Sequence, residues 1–188
     1  MNKTSIGLIA IIAIIVVIGM ILIGAYNNMV TKREVVESAL SDIDTMLQRR
    51  ADLIPNLVNT VKGYTTHETE IIDKITEARA KLVNASSIDE KSTANNELTE
   101  SLNALMVVVE NYPDLKSSEN FRQLADELSG TENRIAVARK DYNDAVKTYN
   151  SLIKKIPNNM LAGMFGFEQA EYFTADEKSS EVPSVNFE

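Results

Sequence analysis

Residues 6–25 hold no charged side chain, and Ile, Val, Leu, Ala, Gly and Met fill every position. A helix of that length rises roughly 30 Å, the thickness of a bilayer's hydrocarbon core. The apolar residues surround the helix instead of forming one stripe, so lipid suits it better than a half-buried protein surface. The run predicts one transmembrane helix over 6–25, after a short N-terminal tail 1–5. The competing reading is a cleaved signal peptide, with Ile23-Gly24-Ala25 as a poor cleavage site. The run exceeds the usual apolar core of such a leader.

The chain beyond the span is acidic. After residue 25 it keeps 18 of its 19 Lys and Arg and all 27 Asp and Glu, a formal balance of −9. Phosphate backbones and anionic headgroups repel such a domain, which argues against nucleic-acid binding. The chain has no cysteine, which excludes disulfides, thiolate catalysis and cysteine metal sites.

Periodicity predicts four further helices. Val36, Leu40, Ile43 and Leu47 mark the first, over 26–49, with no breaker between it and the span. A tight turn is placed at Arg50 to Asp52, with Asp52 as N-cap and Pro55 in the first turn of the next helix. That second helix, 53–84, keeps one phase through Ile54, Leu57, Val61, Tyr64, Glu68, Ile71, Ile75, Ala78 and Leu82, running across Gly63. Ser87-Ile88-Asp89-Glu90 has capping-box spacing and opens the third, 88–112. The fourth, 117–156, runs from Phe121 through Leu128, Ile135, Tyr142 and Tyr149 to Ile156. The predicted fold is all-α: an N-terminal transmembrane helix continuing into an antiparallel up-down four-helix bundle over 26–157. An apolar segment, 158–173, and a mobile acidic tail, 174–188, complete the chain.

Several motifs in this order carry a resemblance. Gln48-Arg49-Arg50-Ala51-Asp52-Leu53-Ile54-Pro55-Asn56-Leu57-Val58 is followed by Val61-Lys62-Gly63-Tyr64. Later come Glu110-Asn111-Tyr112-Pro113-Asp114-Leu115-Lys116, Thr131-Glu132-Asn133-Arg134-Ile135-Ala136-Val137-Ala138-Arg139 and Phe165-Gly166-Phe167. Together they resemble the LemA family of bacterial membrane proteins. The resemblance implies a single-span protein whose soluble part is a four-helix bundle. It implies no catalytic activity and no functional residues to transfer.

Few residues carry chemistry of their own. His67 is the single histidine. His67-Glu68-Thr69-Glu70-Ile71 lacks the second histidine of a zinc-protease helix, and one histidine cannot build a di-iron bundle site. His67 reads as a surface residue beside the stripe. No cofactor is expected. Glu70, Asp73 and Glu77 read as a solvated acidic face. The polar positions that stand out are five. Arg49 and Arg50 are placed at a helix C-terminus, where the dipole favours positive charge, with anion binding as the alternative. Glu68 interrupts an apolar stripe and needs a partner or water. Glu132 and Arg139 form a candidate inter-helix salt-bridge network or partner site. Met160, Leu161, Met164, Phe165 and Phe167 form an apolar cluster that the direction count returns to the bilayer, to touch lipid, touch a membrane partner or cover the end of the bundle.

The functional expectation is a membrane-anchored scaffold or interaction module without catalysis. Its partners would be the bilayer, through 6–25, and a membrane or envelope protein. The alternative is a ligand-sensing module with its site in or beside the bundle near Glu68. Lys3 and the N-terminus balance Lys32 and Arg33. The signal-anchor character of the leader places the domain on the extracytoplasmic side of the cell membrane.

Overall fold

The computed structural model describes residues 3–65 and 68–174. His67 and most of the predicted tail lie outside them. Among the described residues all regular structure is helical: α1 (Lys3–Lys62), α2 (Thr69–Asn84), α3 (Ile88–Val109), α4 (Pro113–Ser117), α5 (Glu119–Lys154) and α6 (Asn158–Phe165). The apolar stretch of α1 is long and apolar enough to cross a membrane, and none of it is buried in the protein. The described residues divide into two compact units, the first made of 3–39 with 143–171, the second of 40–65, 68–142 and 172–174.

In the first unit, α1 buries Met29 and Val36, and α5 buries Val146, Tyr149 and Ile153, at the steps of 3 and 4 that define one helix face. The chain after α6 has no helical partners for its backbone, and side chains supply them. Tyr149 Oη donates to the Glu168 carbonyl at 2.9 Å. Asn150 clamps Ala170 from both sides, donating from Nδ2 to its carbonyl (2.8 Å) and accepting its N–H at Oδ1 (2.9 Å). Gly166 takes φ +70°, the left-handed conformation that costs a residue with a Cβ. The Phe167 N–H then returns to the Ala162 carbonyl at 2.9 Å, which closes α6 and turns Phe167 inward.

In the second unit, α2 packs against α3 across the connection 85–87. The predicted capping box is present: Ser87 Oγ accepts from the Glu90 N–H and Glu90 accepts from the Ser87 N–H, both at 3.1 Å. The backbone N–H groups of Ser86 and Ser87 hold the Glu90 carboxyl below the usual carboxylate range. The core takes Ile43, Leu47, Ile54, Leu57 and Val61 from α1, Ile72, Ile75, Ala78 and Leu82 from α2, and Leu98, Leu105 and Val109 from α3. Phe121, Leu128, Ile135 and Tyr142 come from α5.

Three sequence expectations need correction. The predicted turn at 50–52 is absent, and α1 continues as one helix to Lys62 with Pro55 inside it. A proline there has no N–H to give the Ala51 carbonyl. Arg79 of α2 replaces that donor, with its Nε 2.7 Å from the Ala51 oxygen. The helix does not run across Gly63 either. The N–H groups of Gly63 and Tyr64 fall back on the Thr60 and Val61 carbonyls in a tightened last turn, and α2 starts afresh at Thr69. The common phase across 54–82 is therefore coincidental: Ile72, not Ile71, is among the buried residues of α2. Finally, α5 stops at Lys154, and Ile156 is 84% exposed instead of closing the core stripe.

The Pro55 compensation makes a prediction. Arg79→Met is expected to destabilise the fold by about 1–3 kcal/mol, because it orphans a part-buried carbonyl. In a Pro55→Ala background the restored amide can bond to Ala51, so the same change should cost distinctly less. Equal costs in urea-unfolding measurements on the two backgrounds would remove this explanation of the continuous helix.

Candidate functional site

Arg50 and its surroundings form the most unusual polar site of the second unit. Its place on α1 puts it on the side that also buries Ile43, Leu47, Ile54 and Leu57, and the residue is only 2% exposed. Nη1 lies 2.5 Å from Glu132 Oε2 of α5 and 2.6 Å from Asn95 Oδ1 of α3. Burial pulls the guanidinium below its usual pKa and the Glu132 carboxylate opposes that shift. Glu132 retains about a third of its own exposure, so the pair is dry at the cation and wetter at the anion. Two donors in this cluster, Arg50 Nε and Asn95 Nδ2, are buried and find no hydrogen-bond partner among the described residues.

A cavity of about 330 Å³ adjoins the cluster. Arg50, Glu132, Thr99 and Asn133 supply polar walls, and Leu57, Leu102, Leu105 and Leu128 supply apolar ones. This size and mixed lining match small-molecule sites, which run from about 300 Å³ upward.

The other sequence-selected positions disperse. Arg49 is exposed and faces an open, charged groove with Glu119, Arg122, Asp126 and Arg134. Neither Arg49 nor Arg50 is at a helix C-terminus, since both sit well inside α1. Glu68 is half-buried and its Oε1 accepts from the Tyr112 hydroxyl at 2.8 Å, so the interruption of the stripe has a partner. Arg139 sits with its guanidinium 5.2 Å from the centre of the buried Phe173 ring, a cation–π contact separate from the Arg50–Glu132 pair. The acidic residues Glu70 and Glu77 pair with Lys74 and Lys81 one turn along α2. Among the described residues no group of three or more His, Cys, Asp or Glu is placed to hold a metal.

The apolar cluster after α5 splits in two. Leu161 and Phe167 are buried, whereas Met160, Met164 and Phe165 are 69%, 76% and 56% exposed. The Tyr26 ring meets Phe165 and Phe167 edge-on at centroid distances of 5.0 and 5.6 Å, and Arg33 lies over Phe167.

Sequence reasoning misses Asn95 and Asn150. Asn95 carries a signal: it lies three residues before Leu98, on the buried stripe, where a polar residue demands a partner. Asn150 carries a weaker one, since its partner is a backbone that no local pattern reveals.

Among the described residues, the fold and sites define an all-helical protein with one candidate membrane span and a largely buried Arg50–Glu132 ion pair in its helical core. The chain belongs to the LemA family, which it matches over residues 39–187. It is 32% identical to magnetosome protein MamQ 2 of Paramagnetospirillum magneticum, in a match that covers 79% of this chain and 64% of that protein. It is 28% identical to magnetosome protein MamQ of Magnetospirillum gryphiswaldense with the same coverage, so the chain spans somewhat under two thirds of these relatives. A protein LemA of Metamycoplasma hominis is 30% identical over 82% of this chain and 71% of its own length. None of these names states a catalytic activity.

Proposed function

We propose that this protein is a membrane-anchored, non-catalytic scaffold that presents a helical interaction surface to a membrane or envelope partner on the extracytoplasmic side. Its long helices α1, α2, α3 and α5 would pack as an up-down bundle. The observation that carries this reading is α1 itself. A single uninterrupted helix holds both the unburied apolar run and the residues from Ile43 to Val61 that build the core of the second unit. An anchor fused to a packed domain in this way fits holding a surface at the membrane better than turning over a substrate.

The absence of cysteine gives a direct test. A single cysteine at the exposed Glu100 should react with an impermeant maleimide in intact cells, and crosslinking there should recover a membrane or envelope protein. Labelling only after permeabilisation would reverse the assigned side. Crosslinks confined to the protein itself would sink the scaffold reading.

A second reading, ligand sensing, is favoured by the cavity beside Arg50 and its two unpartnered donors. It moves the candidate ligand site away from Glu68, whose carboxylate is occupied by Tyr112. A thermal-shift series with small carbonyl compounds separates the two readings: stabilisation that Arg50→Met abolishes supports sensing.

A further inference from the structure

The outer face of α6 is apolar, and among the described residues it stays largely exposed although Phe165 meets the Tyr26 ring. Met160 and Met164 lie one turn apart on this face, Phe165 is beside them, and Ile156 in the preceding turn is the most exposed of the four. Leu161 and Ala162 on the inner face are buried. A short helix that is apolar on both sides needs a second apolar environment besides the protein it packs on.

Position within the first unit indicates what that environment is. Tyr26 directly follows the apolar run 6–25, and Phe165 and Phe167 pack against its ring. Residues at the end of a span occupy the headgroup level, where tyrosine and phenylalanine are favoured and an amphipathic helix can lie in the plane of the interface. The charge distribution agrees. Among the described residues the first unit carries six basic and five acidic residues, whereas the second carries twelve and eighteen. Lys154 and Lys155, both exposed, immediately precede the Ile156 turn and suit anionic headgroups. The net negative charge that would repel a membrane surface thus lies in the second unit, while the first is close to neutral.

From the stacking of α6 on the residue that ends the apolar run, we infer that the exposed face formed by Ile156, Met160, Met164 and Phe165 seats in the headgroup boundary of the same bilayer that residues 6–25 cross. The inference rests on the reading of 6–25 as a span. It makes the anchor two-part: a transmembrane helix and an interfacial foot, connected through Tyr26.

The test uses the full chain reconstituted into mixed phosphatidylcholine and phosphatidylglycerol vesicles, with bimane on one introduced cysteine at a time. Met160→Cys and Met164→Cys report on the foot, and Ile15→Cys reports on the span. The foot probes should lose most of their emission to lipids nitroxide-labelled near the headgroup and little to aqueous iodide. The Ile15 probe should be quenched by nitroxides deep in the chains. Iodide quenching at 160 and 164, with deep-lipid quenching retained at 15, would overturn the inference and leave the span intact. Shielding of both foot probes from lipid and iodide alike would overturn it by showing a protein cover. Failure of deep-lipid quenching at 15 would remove the span and the inference together.

Discussion

Glu132→Ala is expected to destabilise the folded protein by about 3–5 kcal/mol, the cost of leaving a buried charge without its counterion. The cation it abandons is Arg50, 2% exposed and held 2.5 Å from the lost carboxylate. The reciprocal change, Arg50→Met, should cost less. It replaces the guanidinium stem with an apolar chain of similar reach, and the Glu132 side chain it leaves is about a third exposed, although its Oε2 is buried. Replacing both, Arg50→Met with Glu132→Leu, should come back to within about 1–2 kcal/mol of the parent, since a buried pair contributes little net stability over well-packed apolar residues. Urea unfolding of the full chain in detergent, followed by circular dichroism, supplies all three numbers. Equal single-mutant costs, or a double mutant as unstable as Glu132→Ala, would show that Arg50 reaches water and is not the dry member of the pair.

Asn150→Ala is expected to cost about 2–4 kcal/mol, because it strips partners from both the N–H and the carbonyl of Ala170, each worth roughly 1–3 kcal/mol when left part-buried and unpaired. The loss should be local as well as global, with proteolysis appearing around residues 167–171. Asn150→Asp separates geometry from packing. A carboxylate still accepts the Ala170 N–H (2.9 Å in the parent) but sets an anionic oxygen against its carbonyl (2.8 Å) at a buried position, so the cost should be at least that of Ala. A full loss in Asp with little change in Ala would contradict the clamp.

Both effects fall on residues that one-dimensional pattern treats differently. Glu132 stands out because a charged residue recurs near the apolar stripe of α5, but spacing cannot name its partner. Arg50 is visible and misplaced: Arg-Arg-Ala-Asp followed by Leu-Ile-Pro reads as a polar turn before a new helix, and only the donor from Arg79 shows why α1 need not break at Pro55. Gly63 fails in the opposite direction. A stripe that keeps its phase by chance across a break cannot be told from one continuous helix until the backbone hydrogen bonds are known.

By itself the sequence determined what depends on neighbours along the chain. The uncharged run 6–25, the helical periodicity, the Ser87 capping box and the LemA motifs all rest on local spacing, and local spacing is physically sufficient for them. Tertiary structure decided whatever depends on a partner distant in the chain. It paired Arg50 with Asn95 and Glu132, satisfied Ala51 from Arg79, tied Ala170 to Asn150, and divided Met160, Leu161, Met164, Phe165 and Phe167 into a buried side and an exposed one. Burial of a polar group is costly until its partner is in place, and that partner is chosen by the fold, not by the spacing of residues along one helix.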